Sequence, residues 1–134
     1  MFYITKTFKV PMGHRLSELE GSRCIKFHGH NFCIEITVKS EVLNKNNMVI
    51  DFSKLKDLVN DRIDSWDHGM FLNKNDQSID SKLCNLHYTD GDPTAEYLCK
   101  YLYYEISDIL PESIKMHSVS IWETDTSKAT YQED

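Results

Sequence analysis

From Phe32 to Lys39 the chain alternates without a break. Phe32, Ile34, Ile36 and Val38 are apolar, and Cys33, Glu35, Thr37 and Lys39 stand between them. Successive side chains of a strand point to opposite faces, so this run reads as a strand with one face in a core and the other in a polar setting. Such a strand needs strand partners and a cover for its apolar face. Phe2, Ile4, Phe8 and Val10 also fall on alternate positions, which predicts a partner strand over 2–10, broken by Pro11 and Gly13.

Helical periodicity supplies the cover. Leu55, Leu58, Val59, Arg62, Ile63 and Trp66 mark one stripe, with Ser53 as its cap and Gly69 beyond its end. Leu98, Leu102 and Ile106 mark a second stripe; Pro93 opens that helix after Asp92 as cap, and Pro111 stops it. Before the first helix, Asn44-Lys45-Asn46-Asn47 reads as a turn and Met48-Val49-Ile50-Asp51-Phe52 as a short strand. Residues 73–92 read as a long polar loop. A strand over His117–Glu123 and a tail strand reaching Tyr131 complete the chain. Strands at the ends and helices in the middle define an α+β fold, an antiparallel sheet with two helices on one face. Its open edges favour closure by oligomerisation.

Composition bounds the function. A chain of 134 residues, 40% of them hydrophobic, suits one domain with a packed core. The net charge of −6 comes without a basic stripe, which argues against a nucleic-acid partner. No run approaches the ~18 apolar residues of a membrane span. The N-terminus lacks the apolar block of a signal peptide, so the expected compartment is the cytoplasm. Cys24, Cys33, Cys84 and Cys99 contain no C-x-x-C pair, which weighs against a structural zinc knot. An anionic ligand would need local cations, and Arg15, Arg23 and Lys26 are the nearest to the motif described next.

Cys24-Ile25-Lys26-Phe27-His28-Gly29-His30 places one thiol and two imidazoles in seven positions. On a strand, His28 and His30 share a face and can converge on one ion. His14, just past the first strand, meets them if the two strands form a hairpin. Three neutral imidazoles with one open position describe a catalytic zinc site. Cys24 lies off the strand register. It fits either a fourth ligand or a base whose thiol a nearby cation acidifies, and spacing does not choose between these. The Asp67-His68 pair suits proton transfer or a simple helix-end contact. Glu123, ending an apolar-patterned strand, fits either an exposed strand end or a bidentate grip on a guanidine-like edge.

Together these residues resemble the 6-pyruvoyl-tetrahydropterin synthase and 6-carboxytetrahydropterin synthase family. The likeness covers nearly the whole chain. It rests on G-H-R-L at 13–16, C-x-x-x-H-G-H at 24–30, M-V-I-D-F at 48–52, D-H at 67–68, D-P-T-A-E at 92–96 and W-E-T at 122–124. Asn47 and Asp92 depart from the family's usual Gly and Asn; either substitute preserves a turn or a cap.

The resemblance implies a single tunnelling-fold domain over 1–134, with a four-stranded antiparallel sheet that closes into a barrel in trimers and stacks as homohexamers. It implies that His14, His28 and His30 hold Zn2+, and that Cys24 acts as base with Asp67 and His68 as its proton relay. Glu123 would grip the pterin, and Thr94 and Glu96 would line its pocket. The implied reaction converts 7,8-dihydroneopterin triphosphate to 6-carboxy-5,6,7,8-tetrahydropterin, releasing acetaldehyde and triphosphate, on the route to queuosine. The runner-up is the 6-pyruvoyl-tetrahydropterin synthase reaction of the biopterin route. A third reading, from another class, is a non-catalytic zinc- and pterin-binding protein, against which the Cys24, Asp67 and His68 set argues.

Overall fold

The computed structural model describes residues 1–134. Its elements are β1 (Phe2–Arg15), a 3-10 turn (Arg23–Ile25), β2 (His28–Ser40), α1 (Phe52–Asp64), β3 (Gly69–Asn73), β4 (Asn85–Thr89), α2 (Ala95–Ser107), β5 (Lys115–Thr124) and β6 (Ser127–Gln132). They form one six-stranded sheet in the order β4-β3-β1-β2-β5-β6.

The sheet corrects the expectation of four antiparallel strands. β1, β2, β5 and β6 do pair antiparallel, but β3 pairs parallel to the end of β1, and β4 parallel to β3. Both added strands are five residues long and lack clear alternation. In β3, Gly69, Phe71, Leu72 and Asn73 are all buried, so no period of two is written into it. β4 lies inside the segment expected to be loop.

β1 also runs through Pro11 and Gly13, where it was expected to stop. The N–H and C=O of one strand residue point to the same side. The Pro11 carbonyl accepts from the His68 N–H at 2.8 Å, so the missing Pro11 N–H faces away from β2 and no ladder bond to β2 is lost. Gly13 lies opposite Gly29 in the hairpin, and a Cβ on Gly13 would come within 2.6 Å of Met70 Cε. Residues 48–52 form no strand. Their backbone leads directly into α1, whose cap is Asp51 rather than Ser53, its carboxylate accepting from the Ser53 N–H at 2.8 Å. For α2 the cap is Thr94, which accepts from Tyr97 N–H at 3.1 Å and displaces Asp92 from that role. The Asn44–Asn47 turn forms as read, with Asn47 at φ 60° and the Asn44 carboxamide accepting from the Asn46 and Met48 amides.

Both helices cover one face. Leu55, Val59 and Ile63 of α1 and Leu98, Leu102 and Ile106 of α2 share a single core with Val10, Phe32, Ile34, Ile36, Val38, Val119 and Ile121 of the sheet. Burial of these branched side chains is the main stabilising term, at ~25 cal/mol per Å² of apolar surface. The opposite face is polar and knitted by side-chain hydrogen bonds: Thr5 to Thr37 at 2.7 Å, Ser120 to Thr130 at 2.7 Å, and Trp122 Nε1–H to Glu35 at 2.6 Å. No helix is long and apolar enough to cross a membrane.

Candidate metal centre

Strand register assembles the centre. In β1, Val10, Met12 and His14 lie on the helix-covered face. In β2, His28, His30 and Phe32 follow the same alternation, and in β5 Val119, Ile121 and Glu123 do so. The hairpin pairs His14 directly with His28, and Met12 with His30. Each strand therefore carries its apolar stripe to the end of the sheet and finishes it with a side chain able to ligate a metal. His14, His28, His30 and Glu123 offer one donor atom each, all within 4.8 Å of one another.

The imidazole tautomers follow from their outer partners. His14 Nδ1 lies 3.0 Å from the Pro93 carbonyl oxygen, and His28 Nδ1 lies 2.7 Å from that of Lys26. A carbonyl only accepts, so both Nδ1 atoms carry the proton and both Nε2 atoms present lone pairs. This is the arrangement by which outer hydrogen bonds orient histidine ligands. Glu123 Oε1 sits 3.1 Å from His14 Nε2 and 3.2 Å from His30 Nε2. Neither contact is aligned as a hydrogen bond, and both Nε2 atoms are buried without a partner. Leaving a buried nitrogen unsatisfied is costly, and a cation among the four donors removes that cost. Three nitrogens and one carboxylate oxygen suit a divalent ion of the zinc class.

Burial also keeps these imidazoles ready to bind. Loss of water lowers the pKa of His14, and the Pro93 hydrogen bond and the Glu123 carboxylate only partly offset that. Burial likewise lowers the pKa of His30, against the pull of Glu123. Both shifts favour the neutral ring, which keeps its lone pair for a cation.

The other expected site residues are distributed differently. Asp67 and His68 are in contact, with His68 Nδ1 2.9 Å from Asp67 Oδ1. His68 takes the left-handed backbone conformation at φ 57°, and its ring is largely in solvent. It lines a cavity of about 460 Å³ together with His30, Gly13, Gly29, Met70 and Cys84. Cys24 lies in the 3-10 turn, half-buried, its N–H held by Ser22 Oγ at 3.1 Å, and it does not join the four-donor cluster. Thr94 caps α2, and Glu96 is exposed in the first turn of that helix. Within one chain, neither lines the cavity beside His30. The placement of Glu123 against the histidines was absent from the sequence reading. The signal for it was the parity of Val119, Ile121 and Glu123, once β5 is known to lie beside β2.

A small α+β sheet carries at its end a His₃Glu cluster able to hold a metal ion, with His14 buried and the other three half-buried, beside a cavity lined by His30 and His68. The family model described as 6-pyruvoyl tetrahydropterin synthase matches residues 3–134, and the chain belongs to that family. It is 30% identical over 158 residues to the 6-carboxy-5,6,7,8-tetrahydropterin synthase of Aquifex aeolicus, covering 98% of each chain. To the Haemophilus influenzae protein of the same name it is 33% identical over 144 residues, covering 99% of this chain and 100% of the relative. Among solved structures, the 6-pyruvoyl tetrahydropterin synthase of Caenorhabditis elegans matches with a TM-score of 0.74 and 21% identity, over 99% of this chain and 96% of that one. An uncharacterized Wolinella succinogenes protein matches with a TM-score of 0.85 and 20% identity, over 99% and 98%. At these identities the two structures speak for the fold alone.

Proposed function

We propose that this protein is a zinc-dependent lyase that converts 7,8-dihydroneopterin triphosphate and one water to 6-carboxy-5,6,7,8-tetrahydropterin, acetaldehyde and triphosphate. The observation that carries the reading is the pair of buried, partnerless Nε2 atoms of His14 and His30 facing Glu123. Relatives matched over nearly their full length and named for that product support the choice of product.

His14, His28 and His30 hold the zinc. When bound, zinc supplies Lewis-acid polarisation of a substrate side-chain oxygen, which acidifies the neighbouring C–H bonds. The remaining steps belong to protein groups. Cys24 takes a proton from the substrate side chain as thiolate. His68 Nε2 exchanges the second proton, its ring oriented by Nδ1–H donation to Asp67. Glu123, whose two oxygens match the paired N–H donors of a pterin edge, anchors the ring. Cys24, Asp67 and His68 are not among the four clustered donors of one chain, and in this reading the complete site draws its relay from a neighbouring subunit, with Thr94 and Glu96 near the pterin. Pairing of the β6 edge of one copy with the free edge of β1 in the next would close the four antiparallel strands of each chain into a barrel, stacked as a hexamer in the cytosol.

A second reading, 6-pyruvoyl-tetrahydropterin synthase, is favoured by the description of the matching family model. Incubating the zinc-loaded protein with 7,8-dihydroneopterin triphosphate and weighing the products separates the readings. Carboxytetrahydropterin with acetaldehyde is the expected result. Pyruvoyl-tetrahydropterin would select the second reading, and unchanged substrate would leave a pterin- and zinc-binding protein.

A further inference from the structure

Arg15 follows His14 on β1, and alternation turns it to the other side of the strand. Its guanidinium gathers three parts of the chain. Nε–H donates to the Ile25 carbonyl at 2.6 Å, in the turn that carries Cys24. One terminal nitrogen donates to the two Asp76 oxygens at 3.1 and 3.2 Å and to Ser78 Oγ at 3.3 Å. The group also lies 5.3 Å from the centre of the Phe27 ring. Beside it, the Leu16 N–H donates to the Cys24 carbonyl at 2.9 Å.

Asp76 lies in the β3–β4 connection, and its side chain is only 5% exposed. Apart from Arg15, its carboxylate accepts only from the Ser78 N–H and hydroxyl. A carboxylate this buried is stable only while a cation stays on it, so Asp76 holds Arg15 in one geometry. Arg15 in turn holds the backbone next to Cys24. The same loop is tied at its other end, where Asp92 accepts from Glu18 N–H at 3.0 Å and Ser17 Oγ at 3.3 Å. Residues 16–27 are thus clamped between two carboxylates of the 73–92 segment.

We propose that Arg15 and Asp76 are positioning residues for the Cys24 thiol, and that the 73–92 segment acts on the reaction through this ion pair. The inference rests on the assignment of Cys24 as the base. Arg15→Lys tests it, because one ammonium cannot reproduce the fork that reaches Ile25 and Asp76 together. Asp76→Asn, which keeps a neutral acceptor, carries the test should the lysine variant fail to fold.

The measurements are metal content, kcat and KM of the full-length enzyme, with peptide-mapped rates of iodoacetamide alkylation at fixed pH. In both variants we expect wild-type metal content and KM within twofold. The kcat should fall at least tenfold in Arg15→Lys, and less in Asp76→Asn. The Cys24 alkylation rate should change threefold or more, while Cys33 on β2 keeps its rate. Unchanged Cys24 alkylation in folded variants overturns the proposal. So does a loss of metal that parallels the loss of kcat, which would make Arg15 a support of the histidines instead. If Cys24→Ala kept full turnover, the base assignment would fall. The alkylation rates would still decide whether Arg15 positions that thiol.

Discussion

Glu123 Oε1 stands 3.1 Å from His14 Nε2, with no hydrogen bond between them. The carboxylate is the fourth donor of the cluster that the three histidines form. In the proposed role of pterin anchor it should be dispensable for the metal. Glu123→Gln is therefore expected to retain close to one zinc per chain while weakening pterin binding at least tenfold, since a carboxamide cannot accept two parallel N–H donors. Metal analysis and pterin titration check this. A variant that loses its zinc makes Glu123 a ligand.

The metal-free protein should lose stability on acidification. His14 and His30 have pKa values lowered from the ordinary value of about 6.5, first by burial. As the pH falls through 6.5 the unfolded chain takes up protons on these rings, and the folded chain resists until lower pH. Stability therefore declines from about pH 6.5 downward and levels off only below the folded pKa values. Zinc affinity falls in the same direction, because protons compete for the same nitrogens. Thermal melts of chelator-treated protein from pH 8 to pH 5 read the first effect. A melting temperature that rises between pH 7 and pH 5.5 would contradict it.

His68 combines a left-handed backbone with an ionisable ring, and two substitutions separate these properties. His68→Ala removes the ring and keeps the backbone strain, whereas His68→Gly removes both. Both should lower kcat by about 10² or more, the usual worth of a general acid–base group. The glycine variant should melt no lower than the alanine variant, and both should keep their metal. Turnover near wild type in either would remove His68 from the relay.

In the core, Ile36 is fully buried between the sheet and the helices. Ile36→Ala should destabilise the fold by about 2–5 kcal/mol in denaturant titrations, through lost transfer energy and the cavity left behind. Ile36 lies six residues along β2 from His30, about 20 Å away at strand spacing. Zinc stoichiometry of the folded fraction should therefore be unchanged, and a loss of metal would show that the site depends on core packing.

What was legible in the sequence is what local chemistry writes into it. The period of two in Phe32–Lys39 identified β2 and its buried face, and the stripes of Leu55 to Ile63 and Leu98 to Ile106 identified both helices. His28 and His30 could be called a pair because strand geometry puts alternate residues on one side. β3 and β4 were not legible, because short parallel strands carry no alternation and are held by neighbours distant in the chain. The continuation of β1 through Pro11 was also hidden, since it depends on which side of the strand lacks a partner.

The donor types at 14, 28, 30 and 123 are properties of the sequence alone, and so is the strand parity that aims His28 and His30, whereas that of His14 depends on β1 continuing through Pro11. Their convergence is not such a property. It required β5 to lie against β2 so that Glu123 reached His14 across the sheet, and the Pro93 carbonyl to fix the tautomer of a histidine 79 residues away. Spacing within a segment determines which face a side chain takes. Only the pairing of segments, driven by burial of the shared core, decides what that face meets.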